Sequence, residues 1–157
     1  MRIAVAADHA GFPLKACVID VLRNERHDII DLGTDSTAPV DYPDYAEAAG
    51  RAIVDGLADR AIVLCGSGVG ASVAANKLPG VRAAVCHDTY SAHQGVEHDD
   101  MNVLAIGARV VGQELATELV RAFAGARFSG EERHMRRLAK VNAIEERSMG
   151  VKEERHA

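Results

Sequence analysis

AIVLCGSGVGASVAANK, residues Ala61–Lys77, carries the pattern of a strand, a tight loop and a helix in immediate succession. Ala61–Leu64 is apolar without alternation, as in a strand covered on both faces. Cys65 ends that run, and Gly66, Gly68 and Gly70 follow with only Ser67 and Val69 between them. Alternate glycines admit positive φ and let a ligand come close to the main chain. Ser72–Lys77 is expected to form a short helix, closed by Pro79-Gly80. A thiol then sits at the C-terminal end of a strand, on a loop of N–H groups leading into a helix. Such a place can hold an anion and acidify a cysteine. Glycine-rich turns of this kind also occur as plain structure in α/β folds, and cysteine often serves only as a small buried hydrophobe.

Three known loops fail against this stretch. The dinucleotide fingerprint requires G-x-G-x-x-G after a first strand, whereas the spacing here is G-x-G-x-G after a third. A P-loop closes on Gly-Lys-Ser/Thr, and Gly70-Ala71-Ser72 has no lysine. A cysteine phosphatase loop places an arginine six positions beyond its cysteine, where this chain has Ala71.

Towards the N-terminus, Arg2–Ala7 reads as a first strand ending at Asp8-His9. Leu14–Asn24 has helical spacing of Leu14, Val18, Val21 and Leu22, and His27–Leu32 reads as a second strand stopping at Gly33. Thr34–Pro43 is rich in turn formers, ahead of a helix from Asp44 to about Val54. Towards the C-terminus, Val81–Cys86, Thr89–Glu97, Asn102–Ile106 and Gly112–Ala124 read as strand, helix, strand and helix. This alternation, with short and uniformly apolar strands, predicts an α/β protein. Its expected form is a Rossmann-like three-layer α/β/α sandwich with a five-stranded parallel sheet, one domain over residues 1–157. Ligands of such sheets bind beyond the C-terminal strand ends, where Asp8, His9, Cys65 and His87 all fall.

A further helix, Glu131–Arg147, is charged apart from a narrow seam of Leu138, Val141 and Ile144. The five-stranded unit already looks complete without it. Residues 131–148 are therefore expected to pack on a partner subunit as a dimerisation helix, and 149–157 to form a frayed tail.

Composition narrows the function classes. With 157 residues, 48% hydrophobic and 26% charged, the chain is an ordinary globular domain with room for a core. A net charge of −5 argues against nucleic acid or an anionic membrane as the main partner. Three cysteines do not make a disulfide framework, and no apolar run approaches the ~20 residues of a membrane span. The opening MRIAVAADH reads as a strand without signal-peptide anatomy, so a cytoplasmic protein is expected. No Cys/His pairing at zinc spacing occurs.

His98, in GVEHDDMNV, is expected on a loop and suits proton transfer near neutral pH. Arg133 and Arg137, at i and i+4, would share one helix face and can grip a phosphate. The run Arg133, His134, Arg136, Arg137 reads equally as a solvated charged face. Arg109, just after the fifth strand, is a third candidate.

Taken together, AADHAGFPLK, DLGT, DYPDYA, CGSGVGASVAANK, VRAAVCHDTYSA, EHDDMNVLAIGARVVG and RHMRR resemble the type B ribose-5-phosphate isomerases and their galactose-6-phosphate isomerase relatives. The resemblance runs along almost the whole chain. It implies an aldose–ketose isomerase of the non-oxidative pentose phosphate pathway. Such an enzyme interconverts D-ribose 5-phosphate and D-ribulose 5-phosphate through a cis-enediolate, as a homodimer or homotetramer, with no metal or organic cofactor.

By that resemblance Cys65 is the base moving a proton between C2 and C1, Ser67 helps shuttle protons between O1 and O2, and His98 is the acid that opens the sugar ring. Asp8, His9 and Tyr42 line the substrate site, and Arg109, Arg133 and Arg137 bind phosphate. His98 and several of the arginines reach in from the neighbouring subunit. Some members carry serine at position 65 and glutamate at 71; Cys65 and Ala71 make this the thiol version. Asp99 stands where many members have asparagine, beside the catalytic histidine. That leaves allose 6-phosphate, galactose 6-phosphate or a tetrose phosphate as alternative substrates.

The chemistry fits the residues independently. Removing a weakly acidic proton beside a carbonyl needs a positioned base and an anion hole for the enediolate. Cys65 supplies the first, and the N–H groups of Gly66, Ser67, Gly68, Val69, Gly70 and Ala71 can supply the second. A non-catalytic sugar-phosphate binder is the other alternative, although it would have no need for a thiol in a glycine cradle.

Overall fold

The computed structural model describes the backbone of residues 1–154 and the side chains of residues 1–148. Strands β1 (Arg2–Ala7), β2 (Asp28–Asp31), β3 (Arg60–Cys65), β4 (Ala83–Val85) and β5 (Val103–Gly107) form one parallel sheet in the order β2-β1-β3-β5-β4. Helices α1 (Phe12–Asn24), α2 (Tyr42–Val54), α3 (Val69–Ala75), α4 (Thr89–Asp99) and α5 (Gln113–Gly125) cover it.

Strand residues alternate between two cores. Ile3, Val5, Ile62, Leu64, Leu104 and Ile106 meet Val18, Leu22, Val96, Leu119 and Phe123 of α1, α4 and α5. Ala4, Ala6, Ala61 and Val63 meet Ala46, Ala49, Ala52, Ala71 and Ala75 of α2 and α3. The second core is built from alanine, so α2 and α3 lie close against the strands. This is the expected three-layer parallel architecture. Among the described residues, no helix is long and apolar enough to cross a membrane.

The chain leaves β1 for β2 on one side and returns to β3 on the other, so the strand order reverses between β1 and β3. The crevice beyond that switch point is where sheets of this type hold ligands. Asp8 and Cys65 stand at its two lips.

Several bounds differ from expectation. Gly68 turns the chain with φ 80°, which lets α3 start at Val69 rather than Ser72. Strand β4 keeps only three residues because it is an edge, and Asn76 takes up its free side by bonding both the N–H and the carbonyl of Ala83. Helix α4 continues past Glu97 because Asp100 adopts a left-handed cap with φ 50°. His98 therefore lies in the last turn of α4 and not on a loop.

The last helix, α6 (Glu132–Glu154), begins one residue later than expected and runs on into the segment read as a tail. Up to position 154 that stretch carries Lys and two Glu, good helix formers, and its one glycine costs a helix only about 1 kcal/mol. Positions 155–157 lie outside the described residues. Against its own domain α6 buries His134 and half-buries Leu138, and the Gly80 N–H donates to Glu145 Oε2 at 3.0 Å. Val141 and Ile144 remain 51% and 57% exposed.

Candidate active site

Asp8 and Cys65 are brought together by backbone pairing. Ala7 registers with Leu64 across β1 and β3, and the Asp8 N–H donates to the Leu64 carbonyl at 3.0 Å. Asp8 Oδ1 accepts the N–H groups of Ala10 and Gly11 at 2.9 and 2.8 Å, which fixes the carboxylate at the start of α1. Its other oxygen, Oδ2, accepts the thiol of Cys65 at 3.0 Å. Both side chains are nearly closed off, with Asp8 5% and Cys65 8% exposed.

This geometry reverses one expectation. Burial pushes the Cys65 thiol up from its usual pKa, and the bond to Asp8 and the charge of Asp8 push it further. The N–H groups of Gly66 and Gly68 pull the other way without prevailing. The loop does not acidify the cysteine at rest; its partner carboxylate keeps the proton on sulfur. Asp8→Asn is accordingly expected to shift the pH dependence of Cys65 alkylation by iodoacetamide towards lower pH. A shift towards higher pH would contradict the assigned cause.

Around this pair lies a hollow of about 380 Å³ lined by Asp8, His9, Tyr42, Cys65, Ser67 and Arg109, with Gly66 and Gly70 in its floor. Tyr42 opens α2 and lays its ring on Gly70: a Cβ there would stand 2.7 Å from Tyr42 Cζ. His9 Nδ1 accepts the Val40 N–H at 3.2 Å, which leaves Nε2 to carry the proton of a neutral ring. Ser67 is exposed, and its hydroxyl accepts the Val69 N–H at 3.3 Å. The Arg109 guanidinium lies over Gly66. Of the remaining loop residues, Gly68 and Ala71 are buried and Val69 faces solvent.

Four candidates are not brought here by this chain. His98 lines a separate hollow with Tyr90, His93 and Glu97, and Asp99 faces the groove under α6. Arg133 and Arg137 are exposed on α6, with Arg133 Nε donating to Glu131 at 2.9 Å. His87 also stays outside the Cys65 hollow. Its Nε2 accepts the Gly107 N–H at 2.9 Å and so supports β5 just beneath Ser67.

Sequence reasoning passed over three contributors. Lys15 is buried on α1 and donates to Asp31 at 2.9 Å and to the Thr34 carbonyl at 2.6 Å, tying down the loop that carries Val40 to His9. Gly11 lets α1 start against β3. His134 is buried and not part of a solvated face. A lysine and a histidine in amphipathic helices gave no signal, because only the packed fold shows which way they point.

As a whole, the site offers a thiol with a carboxylate acceptor, a ring of small backbone-exposing residues and a guanidinium at its rim. Such a set can move a proton next to a carbonyl and hold an anion.

Comparison with known proteins agrees with that chemistry. Residues 3–141 match the family model described as Ribose/Galactose Isomerase. The chain is 46% identical to ribose-5-phosphate isomerase B of Escherichia coli K12 over 146 residues, covering 93% of this chain and 97% of that protein. It is 43% identical to D-erythrulose-4-phosphate isomerase of Pectobacterium atrosepticum over 132 residues, 83% of this chain and 86% of that one. The structure of Clostridium thermocellum ribose-5-phosphate isomerase B superposes with a TM-score of 0.91 at 44% identity, covering 94% of this chain and 99% of that chain.

Proposed function

The chain belongs to the ribose/galactose isomerase family, and we propose that within it the protein interconverts D-ribose 5-phosphate and D-ribulose 5-phosphate. The observation that carries this reading is the Cys65 thiol 3.0 Å from Asp8 Oδ2 at the C-terminal end of β3. Before Cys65 can accept a proton from C2 of the sugar its own must leave, and Asp8 is the acceptor beside it. The thiolate so formed faces the N–H groups of Gly66 and Gly68, which favour the charged sulfur. It takes the C2 proton and returns one at C1.

In this reading the loop N–H groups stabilise the enediolate that forms between these steps, at roughly 3 kcal/mol per well-placed donor. Ser67 Oγ, exposed at the mouth, exchanges protons between O1 and O2. Arg109 holds the remote phosphate, whose binding energy orients the reacting end. Opening a closed sugar ring also needs an acid. His98 is assigned that role, with Asp99, Arg133 and Arg137 beside it, reaching the Cys65 hollow of a second copy. The exposed seam of Val141 and Ile144 on α6 supports such a dimer. Full turnover by a chain that light scattering shows to be monomeric would exclude this shared site.

A second substrate reading rests on Asp99 and on the relative that acts on a four-carbon sugar phosphate. A carboxylate beside His98 alters contacts to a sugar hydroxyl. The test is ketose formation from ribose 5-phosphate beside tetrose, allose and galactose phosphates. Ribose 5-phosphate is expected to give the highest kcat/KM. A clear preference for another sugar would keep the chemistry and overturn the substrate.

A further inference from the structure

His98 does not stand alone. The ring of His134, the third residue of α6, stacks on it with centroids 4.0 Å apart and planes 26° from parallel. His134 is 1% exposed, among the largest fully buried side chains of the molecule. Its Nδ1 lies 2.6 Å from Ser129 Oγ, and Ser129 in turn donates its N–H to the Glu97 carbonyl at 2.9 Å. One serine thus ties the buried ring to the last turn of α4, the turn that carries His98. On its other side His98 Nδ1 lies 2.8 Å from Gln94 Nε2. With that amide donating, a neutral His98 ring carries its proton on Nε2, where the Glu97 carboxylate lies 4.0 Å away.

We propose that His134 is a positioning residue for His98: its buried ring, held by Ser129, fixes the plane of the acid. This rests on the acid role proposed for His98 above. The argument is one of packing and charge. A side chain held by one contact swings; a ring clamped between Gln94 and a buried aromatic face keeps its Nε2 aimed in one direction. Two imidazolium rings face to face repel, which adds to burial in keeping the His134 ring neutral.

Around His98 are Glu97 and His93 of α4, and around His134 are Glu131 with Arg133 and Arg137 of α6. Burial holds His134 below the usual histidine range, and His98, Arg133 and Arg137 add to this against the smaller opposing effect of Glu131.

The test is an NMR titration of the histidine ring signals in the full chain, assigned with His98→Asn and His134→Phe. The His134 signal is expected to titrate only below the usual histidine range, as a buried ring facing His98, Arg133 and Arg137 should. Activity on ribose 5-phosphate supplies a second readout. His134→Phe retains a flat stacking face and should keep kcat within about threefold. His134→Leu fills the space without a face and should lose about tenfold in kcat with KM unchanged, the scale of a misaligned acid.

His134 titrating within the usual histidine range, or Leu performing as well as Phe, would overturn the proposal. The wild-type titration decides it even if the leucine variant does not fold. His98→Asn working at the wild-type rate would remove the acid role itself, an outcome distinct from where the His134 ring titrates.

Discussion

Cys65→Ala is expected to lower kcat for ketose formation from ribose 5-phosphate by roughly 10³-fold, within the range a positioned general base contributes. KM should stay within a few fold, because the groups assigned to the phosphate are arginines and do not touch the sulfur. The fold should be unaffected: the side chain is small, ends a strand and already borders a hollow. Cys65→Ser is a sharper probe. It restores the hydrogen bond to Asp8 but replaces the thiol with a hydroxyl of far higher pKa, so it too should lose most activity. An alanine variant retaining more than a tenth of the wild-type rate would show that another group takes the C2 proton.

The second large effect concerns stability. A Cβ added at Gly11 would overlap the carbonyl of Leu64, and that carbonyl already accepts the Asp8 N–H. The obstacle is backbone, which cannot rotate away, so Gly11→Ala must push the start of α1 off β3. The expected cost is about 3 kcal/mol, which for a chain of this size lowers Tm by roughly 10 °C. Because Gly11 N–H also holds Asp8 Oδ1, the displaced helix should loosen the carboxylate beside Cys65 and reduce activity. Gly125→Ala is the control. A Cβ there meets nothing within 4 Å at the end of α5, and the change should be neutral or slightly stabilising. Equal melting temperatures for the two variants would refute the close-approach argument.

What could be read from the chain follows the range of the physics. The strand–loop–helix at Ala61–Lys77, the parallel alternation and the gathering of Asp8, His9 and Cys65 depend on local periodicity and on a general rule for such sheets. They appear where expected. His98 closes α4 instead of lying on the loop expected for it, because the cap that carries α4 two residues further is Asp100 in a left-handed conformation, which a run of His, Asp and Asp does not announce. The Cys65 environment was misjudged because a helix terminus is visible in sequence, whereas a carboxylate arriving from a distant strand end is not. His134 was invisible for the same reason: its burial exists only because α6 folds back onto α4. Arg133 and Arg137 were legible as a pair on one helix face, and the fold leaves both exposed on α6, outside the Cys65 hollow.

The central claim is that a base on this protein, Cys65, removes the C2 proton. It is tested most directly by running ribose 5-phosphate to equilibrium in D2O and following the sugar by NMR. A thiol that accepts and returns protons exchanges them with solvent, so repeated cycling should place deuterium at C1 of the ketose and at C2 of the aldose. The Cys65→Ala protein should incorporate none on the same timescale. Ketose formed over many cycles with no solvent deuterium at either carbon would contradict the account, since the hydrogen would then have moved without passing through an exchangeable base.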